Sequence, residues 1–227
     1  MLRRMVKRDR PIEVHPGFRG REFSHALLAA VAHKPDAELG SALDRLIQAD
    51  LLFRQGVPPH ASYLFKHALV QDAAYGTLLR EPRRTLHARI AEVVERDFAE
   101  IAEIQPEWLA HHCAEAGLIE KAAYLWGSAG QRSLDRSALV EATEQLRRAL
   151  GQIAALSGTP TLRREQIKLQ LALATALMHT KGYAASEAMA ALDRARLYMD
   201  RAQALGEPPE DPRNLFGRAE PVEPRHQ

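Results

Sequence analysis

The most constraining feature of the sequence is a pattern of small and large apolar residues that two neighbouring segments share. Each segment has an alanine at position i, a large apolar residue at i+4 and a second alanine at i+7. The two sets are Ala122, Trp126 and Ala129, and Ala142, Leu146 and Ala149. These positions lie on one face of an α-helix, where the small residues let a second helix approach closely. The pattern therefore predicts two helices that pack together as a hairpin.

The second half of the chain, from Arg83 onward, shows helical periodicity and no other pattern. Pro106 suits the first turn of a helix, and Gly117 suits the position that follows a helix end. The apolar spacing predicts helices at about residues 83–98, 106–116, 118–134, 138–156, 162–179 and 186–205. Successive helix hairpins with small residues at their contacts are typical of tetratricopeptide (TPR) stacks. We therefore predict a TPR-like α-solenoid of antiparallel helix hairpins over residues 101–205.

The first half of the chain combines helical and strand patterns. The spacing of apolar residues predicts helices at about residues 22–32 and 37–49, and strands at 51–54 and 62–65. Asp36 suits the N-cap of the second helix, and a glycine- and proline-rich turn separates the two strands. Helix, helix, hairpin and helix is the order of a winged-helix module. We therefore predict a winged-helix-like module with one small β-hairpin and a linking helix over residues 20–100, in a chain that is mainly α.

Both ends of the chain lack periodicity. Residues 1–21 contain seven arginines and lysines against Asp9 and Glu13, whereas the whole chain has a net charge of only +2. The last 22 residues are rich in proline. We predict a disordered basic tail over residues 1–19 and a disordered tail over residues 206–227.

Composition restricts the setting in which the chain works. Aromatic residues make up 6% of the chain, and alanine and leucine dominate, which favours close-packed helices over a β-sandwich. A single cysteine, Cys113, excludes an internal disulfide and fits a reducing cytoplasmic location. No signal peptide is visible, and no apolar run reaches the roughly 18 residues of a membrane span.

The stretch from Tyr63 to Arg80 joins the two halves, and its most unusual residue is His67. This histidine lies where an aromatic, strand-like run becomes helical. Leu69, Ala73 and Leu79 are expected to form the buried stripe of the helix that follows. Gly76 interrupts that helix, and Pro82 is expected to end it. His67 is either a core histidine bonded to backbone carbonyls or a side chain that faces a nucleotide.

The sequence contains no recognisable catalytic or metal motif. It has no Gly-x-x-x-x-Gly-Lys-Ser/Thr loop, no Gly-x-Gly-x-x-Gly, no His-Glu-x-x-His and no Cys-x-x-Cys. His111, His112 and Cys113 are adjacent, and neighbouring helical residues diverge by about 100°, so they cannot share one ion. We expect Cys113 to be packed, with the histidines beside it, and we expect no catalysis and no bound metal.

A basic group follows the junction, namely Arg80, Arg83, Arg84, His87 and Arg89. It is either a solvated face paired with acidic neighbours Glu81 and Glu92, or a contact for a phosphate or an acidic partner. DNA reading is a third use of a winged helix. The predicted reading helix, residues 37–49, carries two acids against one arginine, which disfavours contact with phosphates.

Several sequence blocks together resemble one bacterial family. They are Gly20-Arg-Glu-Phe-Ser24, Tyr63-x-Phe-Lys-His-Ala-Leu-Val-Gln-Asp-Ala-Ala-Tyr75, Leu78-Leu-Arg, Arg83-Arg-x-Leu-His87, Leu109-Ala-His-His, Glu115-Ala-Gly117, Leu150 and Thr180-Lys-Gly-Tyr-Ala-Ala-Ser-Glu187. The family is the multidomain adenylate/guanylate cyclase-like proteins with a STAND-type AAA ATPase and TPR repeats. The resemblance covers about residues 20–205 and implies the C-terminal part of such a protein, so the chain is expected to be a fragment.

The resemblance implies a role for His67. In this sequence the run Phe65-x-His67-x-Leu69-x-Gln71-Asp72 is similar to the Met-His-Asp-type motif of STAND proteins, whose histidine contacts the phosphate of a bound nucleotide. His67 would then be a nucleotide sensor. ATP or ADP could bind only if a partner supplied the P-loop that this chain lacks.

Together these observations predict a non-catalytic, cytoplasmic regulatory segment that binds a protein or peptide on its helical-repeat face, with no membrane contact. The first alternative is a nucleotide-binding component of a cyclase or ATPase that a partner completes, with His67 closing the site. The second is a winged-helix DNA-binding regulator. Arg80, Arg83, Arg84 and His87 are the candidate contacts to a phosphate or partner.

Overall fold

The computed structural model describes residues 22–156 and 158–207, and these residues are mainly helical with one small antiparallel sheet. The predicted tail at 1–19 and residues 208–227 of the other predicted tail lie outside the described residues. The chain divides into two compact units, Met1–Leu79 and Arg80–Gln227. None of the described helices is long and apolar enough to cross a membrane.

The described part of the first unit contains three strands and three helices. In chain order they are β1 (Glu22–Ser24), α1 (His25–Ala32), α2 (Asp36–Gln48), β2 (Leu52–Gln55), β3 (Ser62–Phe65) and α3 (Ala68–Gly76). β3 is the central strand and pairs antiparallel with both β1 and β2. Tyr63 of β3 lies opposite Phe23 on one side and Arg54 on the other. The predicted hairpin is therefore confirmed, and a third strand is added to it.

The third strand corrects the predicted first helix, which begins at His25 and not at Glu22. Phe23 stacks on Tyr63 with ring centroids 5.4 Å apart, because cross-strand pairing places them on the same face of the sheet. Ser24 then caps α1, since its hydroxyl accepts a hydrogen bond from the backbone N–H of Leu27 at 3.1 Å. β1 has only three residues, which is too short for the alternation of apolar and polar residues that identifies a strand in a sequence.

The core of the first unit lies between the sheet and its helices. Its buried residues are Leu39, Leu43, Leu52, Ala61 and Tyr63. Asp36, predicted as the N-cap of the second helix, is instead the first residue of α2, and Pro35 occupies the cap position. A carboxylate in the first turn still interacts favourably with the positive end of the helix dipole.

The predicted buried stripe of α3 is wrong. Leu69 is 80% exposed, Leu79 just beyond the helix is 76% exposed, and α3 contains no buried residue. Gly76 is the last residue of α3, as the sequence suggested, but Pro82 does not end a helix. It lies in the first turn of the next helix, where the missing N–H of proline costs no hydrogen bond.

The second unit consists of helices. They are α4 (Arg80–Asp97), α5 (Ala99–Ile104), α6 (Pro106–Glu115), α7 (Ile119–Asp135), α8 (Leu139–Ile153), α9 (Pro160–Lys181) and α10 (Ser186–Ala204). The six predicted helices of this region are confirmed to within three residues at each end, and α5 was not predicted. From α6 onward each helix packs against the next one in the chain, and α4 packs against α6.

All six side chains of the two small–large–small sets are buried, and the helices that carry them, α7 and α8, pack against each other. The two helices approach closely at Gly130, where a Cβ atom would lie 2.6 Å from Cγ of Leu146. The guanidinium of Arg148 lies 4.8 Å from the ring centre of Trp126 and covers it on the outside. The predicted hairpin contact is therefore present in the structure.

Candidate functional site

His67 occupies the N-cap position of α3 in the first unit. Its backbone is extended, with φ −128° and ψ 126°, its side chain is exposed, and it makes no capping hydrogen bond. The preceding residue, Lys66, forms an ion pair with Asp50, and this contact lowers the pKa of the Asp50 carboxyl. The core-histidine alternative is wrong, because the imidazole of His67 is accessible from solvent.

The four predicted contact residues of α4 have different surroundings in the second unit. Arg80 is exposed, Arg83 is half-buried and His87 is buried. Arg84 donates a hydrogen bond from Nε to the carbonyl oxygen of Ala116 at 2.8 Å and so caps the C-terminal end of α6. The partner of Arg84 is therefore a backbone carbonyl of the same chain. The sequence had suggested only acidic side chains, a phosphate or a partner molecule.

Gly117 makes room for that arginine. Its φ of +76° is in the left-handed region, and a Cβ atom there would lie 2.8 Å from a terminal nitrogen of Arg84. The C-cap role predicted for Gly117 is confirmed, since it follows α6 in this conformation. The sequence blocks Arg83-Arg-x-Leu-His87 and Glu115-Ala-Gly117 are thus in contact with each other.

His87 lies at the centre of a histidine cluster between α4 and α6. Its Nδ1 is 2.8 Å from Nδ1 of His112, and the ring of His111 lies edge-on to it at 5.8 Å. Trp108 packs edge-on against His112 with ring centres 4.4 Å apart. Cys113 is fully buried next to this cluster, as predicted, and burial raises the pKa of its thiol to about 11.

Burial keeps the histidine pair neutral. It lowers the pKa of His112 to about 3, with smaller effects from His87 and His111. Burial also lowers the pKa of His87, and His111 adds to this effect while Glu115 opposes it. One ring therefore donates to the other as a neutral tautomer. A buried neutral imidazole attracts no phosphate, so an anion contact of this group would depend on its arginines.

The described residues contain no group of three or more histidine, cysteine or acidic side chains arranged to hold a metal ion. The thiol of Cys113 is inaccessible and protonated, which does not suit a nucleophile. The histidine cluster is therefore a packing contact between two helices, with a hydrogen bond at its centre.

A groove runs over α9 between α8 and α10, and we call it the α9 groove. One depression of the groove has a volume of about 390 Å³ and is lined by Arg147, Leu150, Gln170, Leu173, Leu177, Glu187, Ala190 and Arg194. A second depression of about 430 Å³ adjoins it and shares Arg147 and Leu177. The floor comes from one stripe of α9, and the walls come from α8 and α10. The α9 groove is therefore a concave site of the second unit with both apolar and charged residues in its lining.

Gln170 is the polar residue on the floor of the α9 groove. It is 4% exposed, and its Oε1 has no hydrogen-bond partner within the described residues. Buried polar atoms are nearly always paired, because an unpaired acceptor loses its hydrogen bond to water without replacement. Sequence reasoning missed this residue. The available signal was a glutamine on the apolar stripe of Ile167, Leu173 and Leu177.

The walls of the α9 groove carry charge. Arg147 of α8 and Lys181 at the end of α9 both form ion pairs with Glu187 of α10. Lys181, and then Arg147, lower the pKa of Glu187, so this carboxylate stays ionised at neutral pH. Arg194 lines the same wall and has no ion pair within the described ranges. The charged residues that line the two depressions are therefore Arg147, Lys181 and Arg194 against Glu144 and Glu187, an excess of one positive charge.

Comparison with known proteins gives one informative match. An uncharacterized protein of Rhizobium meliloti (strain 1021) is 33% identical to this chain over 165 residues, which cover 73% of the chain. The chain spans 16% of the length of that protein. No protein-family model matches the chain, and no solved structure matches it.

Proposed function

We propose that this chain is a non-catalytic regulatory segment that binds a protein or peptide on its helical-repeat face. The observation that carries this proposal is the α9 groove, in which α8 and α10 flank a floor of leucines and a buried glutamine. Grooves between packed helices are common sites for recognising extended or helical segments. Such a segment would regulate by binding and needs no catalytic residue.

The TPR-like description of the second unit is part of the proposal. It is supported by the consecutive packing of α6 through α10 and by the buried alanines at the contact of α7 and α8. The close approach at Gly130 also supports it, since helix hairpins in TPR stacks pack through small residues.

The winged-helix-like description of the first unit is supported by its sheet. β1 precedes the pair α1 and α2, β2 and β3 follow it, and β3 lies in the centre. A DNA-reading use remains the less favoured alternative. Asp36, Glu38 and Asp44 are on α2 with Arg45 as the cation of that helix, and this balance repels phosphates.

We further propose that the segment belongs to a cytoplasmic signalling protein of the STAND-type ATPase–cyclase kind, as the sequence resemblance implies. The length of the Rhizobium relative is consistent with this, because the similar region occupies a small part of a much longer chain. On this proposal the ATPase and cyclase activities would be carried by other parts of the larger protein.

Selection from a random peptide library on the immobilised full chain tests the peptide-binding function. We expect enriched peptides that no longer bind the Ala190→Trp variant, because a bulky side chain there would fill the α9 groove. Ala204→Trp, an exposed position on the same helix, is the matched control and should bind normally. A library without enrichment, or peptides that bind Ala190→Trp unchanged, would contradict the proposal.

A nucleotide-binding component is the second candidate, and the exposure of His67 at the start of α3 favours it. On this view a partner supplies the P-loop and His67 contacts a phosphate. Isothermal calorimetry of the chain with ADP and ATP tests it, with His67→Ala as the variant. Absence of heat on titration, or heat that His67→Ala leaves unchanged, would exclude a contribution of this histidine.

A further inference from the structure

We propose that α10 is a detachable helix, which Glu207 latches to α9 and which opens while the helices from α6 to α9 stay folded. Opening removes the α10 wall of the α9 groove and uncovers the leucines of its floor. The second unit therefore contains a conformational switch. It depends on how α10 is held and does not rest on what the α9 groove binds.

The first observation is that the apolar contact of α10 is small. The buried residues of this helix are three alanines, namely Ala188, Ala191 and Ala195. Each alanine removes only one methyl group from water, and the half-buried Leu192 and Tyr198 add to the contact only in part. By contrast, α8 buries Leu146 and Ile153 completely. Apolar burial therefore holds α10 less firmly than α8.

The second observation is the position of α10 in the row of helices. Both α8 and α9 pack against the helix before and the helix after them, whereas α10, within the part of the chain that the structure describes, packs mainly against α9. A helix in this position can open without breaking the contacts that the other helices make with each other. Local opening of this kind needs less free energy than unfolding of the whole unit.

The third observation is an ion pair that joins the end of α10 to α9. The carboxylate of Glu207 accepts hydrogen bonds from Nε of Arg163 at 3.2 Å and from a terminal nitrogen of the same guanidinium. Arg163 lies in the first turn of α9. The two side chains are 11% and 6% exposed, so loss of the carboxylate leaves a positive charge in a poorly hydrated position without a partner.

The backbone fixes Glu207 to α10. Gly206 has a φ of +67°, its N–H donates to the carbonyl oxygen of Gln203, and the N–H of Glu207 donates to that of Ala202, both at 3.0 Å. These two bonds around a left-handed glycine form the Schellman motif that ends a helix. Glu207 is therefore ordered, which corrects the disordered tail predicted from residue 206 onward. Its pairing with Arg163 holds the whole helix.

The ion pairs at the other end of α10 are more exposed. Glu187 pairs with Arg147 of α8 and with Lys181 of α9, and the three side chains are between 43% and 52% exposed. Exposed ion pairs are screened by water and salt and contribute little to stability. Of the two ends of α10, the one at Glu207 is therefore the latch.

Hydrogen exchange of the full chain, followed by mass spectrometry, tests the latch. In Glu207→Gln the side chain keeps its size and loses its charge, which leaves Arg163 without a counter-charge. We expect the amide hydrogens of α10 to exchange about tenfold faster than in the wild type, while those of α7 keep their protection. Retained protection of α7 also shows that the variant folds.

Two further variants assign the effect to the ion pair. Glu187→Gln is the matched control at the other end of α10, and it should accelerate exchange of α10 less than about twofold. Arg163→Gln should act like Glu207→Gln. The variant with both of these substitutions should exchange no faster than either single variant, because each one alone already breaks the pair.

A cysteine on the buried face of α10 reports the opening directly. Ala191 is 1% exposed, so the thiol in Ala191→Cys reacts with a maleimide only when α10 detaches. Adding Glu207→Gln should raise the labelling rate about tenfold. Ala142→Cys on the buried face of α8 is the matched control, and it should stay unreactive in both backgrounds, as should the buried native Cys113.

Three results would overturn the inference. The first is unchanged exchange of α10 in Glu207→Gln, and the second is an equal acceleration in Glu187→Gln. The third is faster exchange of α6 through α9 together with α10, since the helices would then open as one. None of these measurements includes a ligand. Failure of the inference therefore leaves the proposed function in place, and failure of the peptide selection leaves the inference in place.

Discussion

The contact of His87 with His112 makes the stability of the second unit depend on pH. The pKa of His112 falls from 6.5 to about 3 on folding, first because the half-buried ring loses contact with water and then because His87 and His111 lie beside it. Below pH 6.5 the unfolded chain therefore takes up a proton that the folded chain does not. Stability is lost progressively as the pH falls from about 6.5 towards 3.

Replacing His112 by phenylalanine should remove most of this dependence. At about pH 5 the proton uptake of His112 costs about 2 kcal/mol of unfolding free energy relative to neutral pH. The phenylalanine ring keeps the edge-on contact with Trp108 and does not titrate. Chemical denaturation of both proteins at about pH 7 and pH 5 measures the difference between them.

The choice of pH window and of control variant isolates the histidine. The pKa values of Glu187 and Glu207 are lowered from 4.5 by their ion-pair partners, so their loss of stabilisation begins below the window. His179→Phe changes an exposed histidine at the end of α9 and should keep the acid sensitivity of the wild type. A His112→Phe protein that loses as much stability as the wild type would contradict the assignment.

At the scale of elements, we predict that replacing two glycines of the α7–α8 hairpin by alanine changes the stability of the chain in opposite directions. Gly130→Ala should destabilise the chain by about 1–3 kcal/mol, because its Cβ atom would overlap Leu146. Gly151→Ala should stabilise it by about 0.5 kcal/mol, because that site on α8 is open and alanine favours a helix. Thermal unfolding followed by circular dichroism compares the two. Equal effects would contradict close packing at Gly130.

We predict that the backbone amide hydrogens of helix α3 exchange unusually fast with solvent. It contains no buried residue, and Leu69 is 80% exposed, so few contacts oppose its opening. We expect amide hydrogens of α3 to exchange much faster than those of α7, whose buried face includes Trp126 and Ala129. Hydrogen exchange with mass spectrometry measures both. Equal protection of α3 and α7 would contradict this prediction.

Comparing the predicted helices and strands with those in the structure shows which of them the sequence could predict. The helices of the second unit were predicted nearly to their ends, since α6 through α10 carry apolar periodicity over several turns and signals such as Pro106 and Gly117 mark some ends. β1 was missed because its pairing with β3 is a contact between distant residues. The exposure of α3 was missed because a periodic apolar stripe does not reveal whether another element covers it.

The sites were harder to predict than the elements. His67 was recognised by resemblance, but its exposure depends on the surroundings of α3. His87 was grouped with the arginines because it lies close to them in the sequence and can carry positive charge, whereas the packing of α6 buries it against His112. The α9 groove requires three helices at defined distances, and no local pattern encodes that arrangement.

At the scale of the whole molecule, the division into two compact units predicts two unfolding steps. The core of the first unit is small, with five residues in its main buried cluster, whereas the second unit buries side chains from most of its helices. Small cores provide little net stability. We therefore expect the first unit to unfold at the lower denaturant concentration or temperature, and a single two-state transition is not expected for the full chain.

Two large-to-small substitutions in the full chain test this division. Leu52→Ala removes a buried side chain from the first unit, and Leu146→Ala removes one from the second. Each should cost about 2–5 kcal/mol in its own unit. Tryptophan fluorescence follows the second unit, because Trp108 and Trp126 both belong to it, and a transition seen by circular dichroism but not by this fluorescence belongs to the first unit. If each variant moves only one transition, the units fold independently. If either variant moves both transitions equally, the two units form one cooperative structure, and binding at the α9 groove would then stabilise the sheet of the first unit as well.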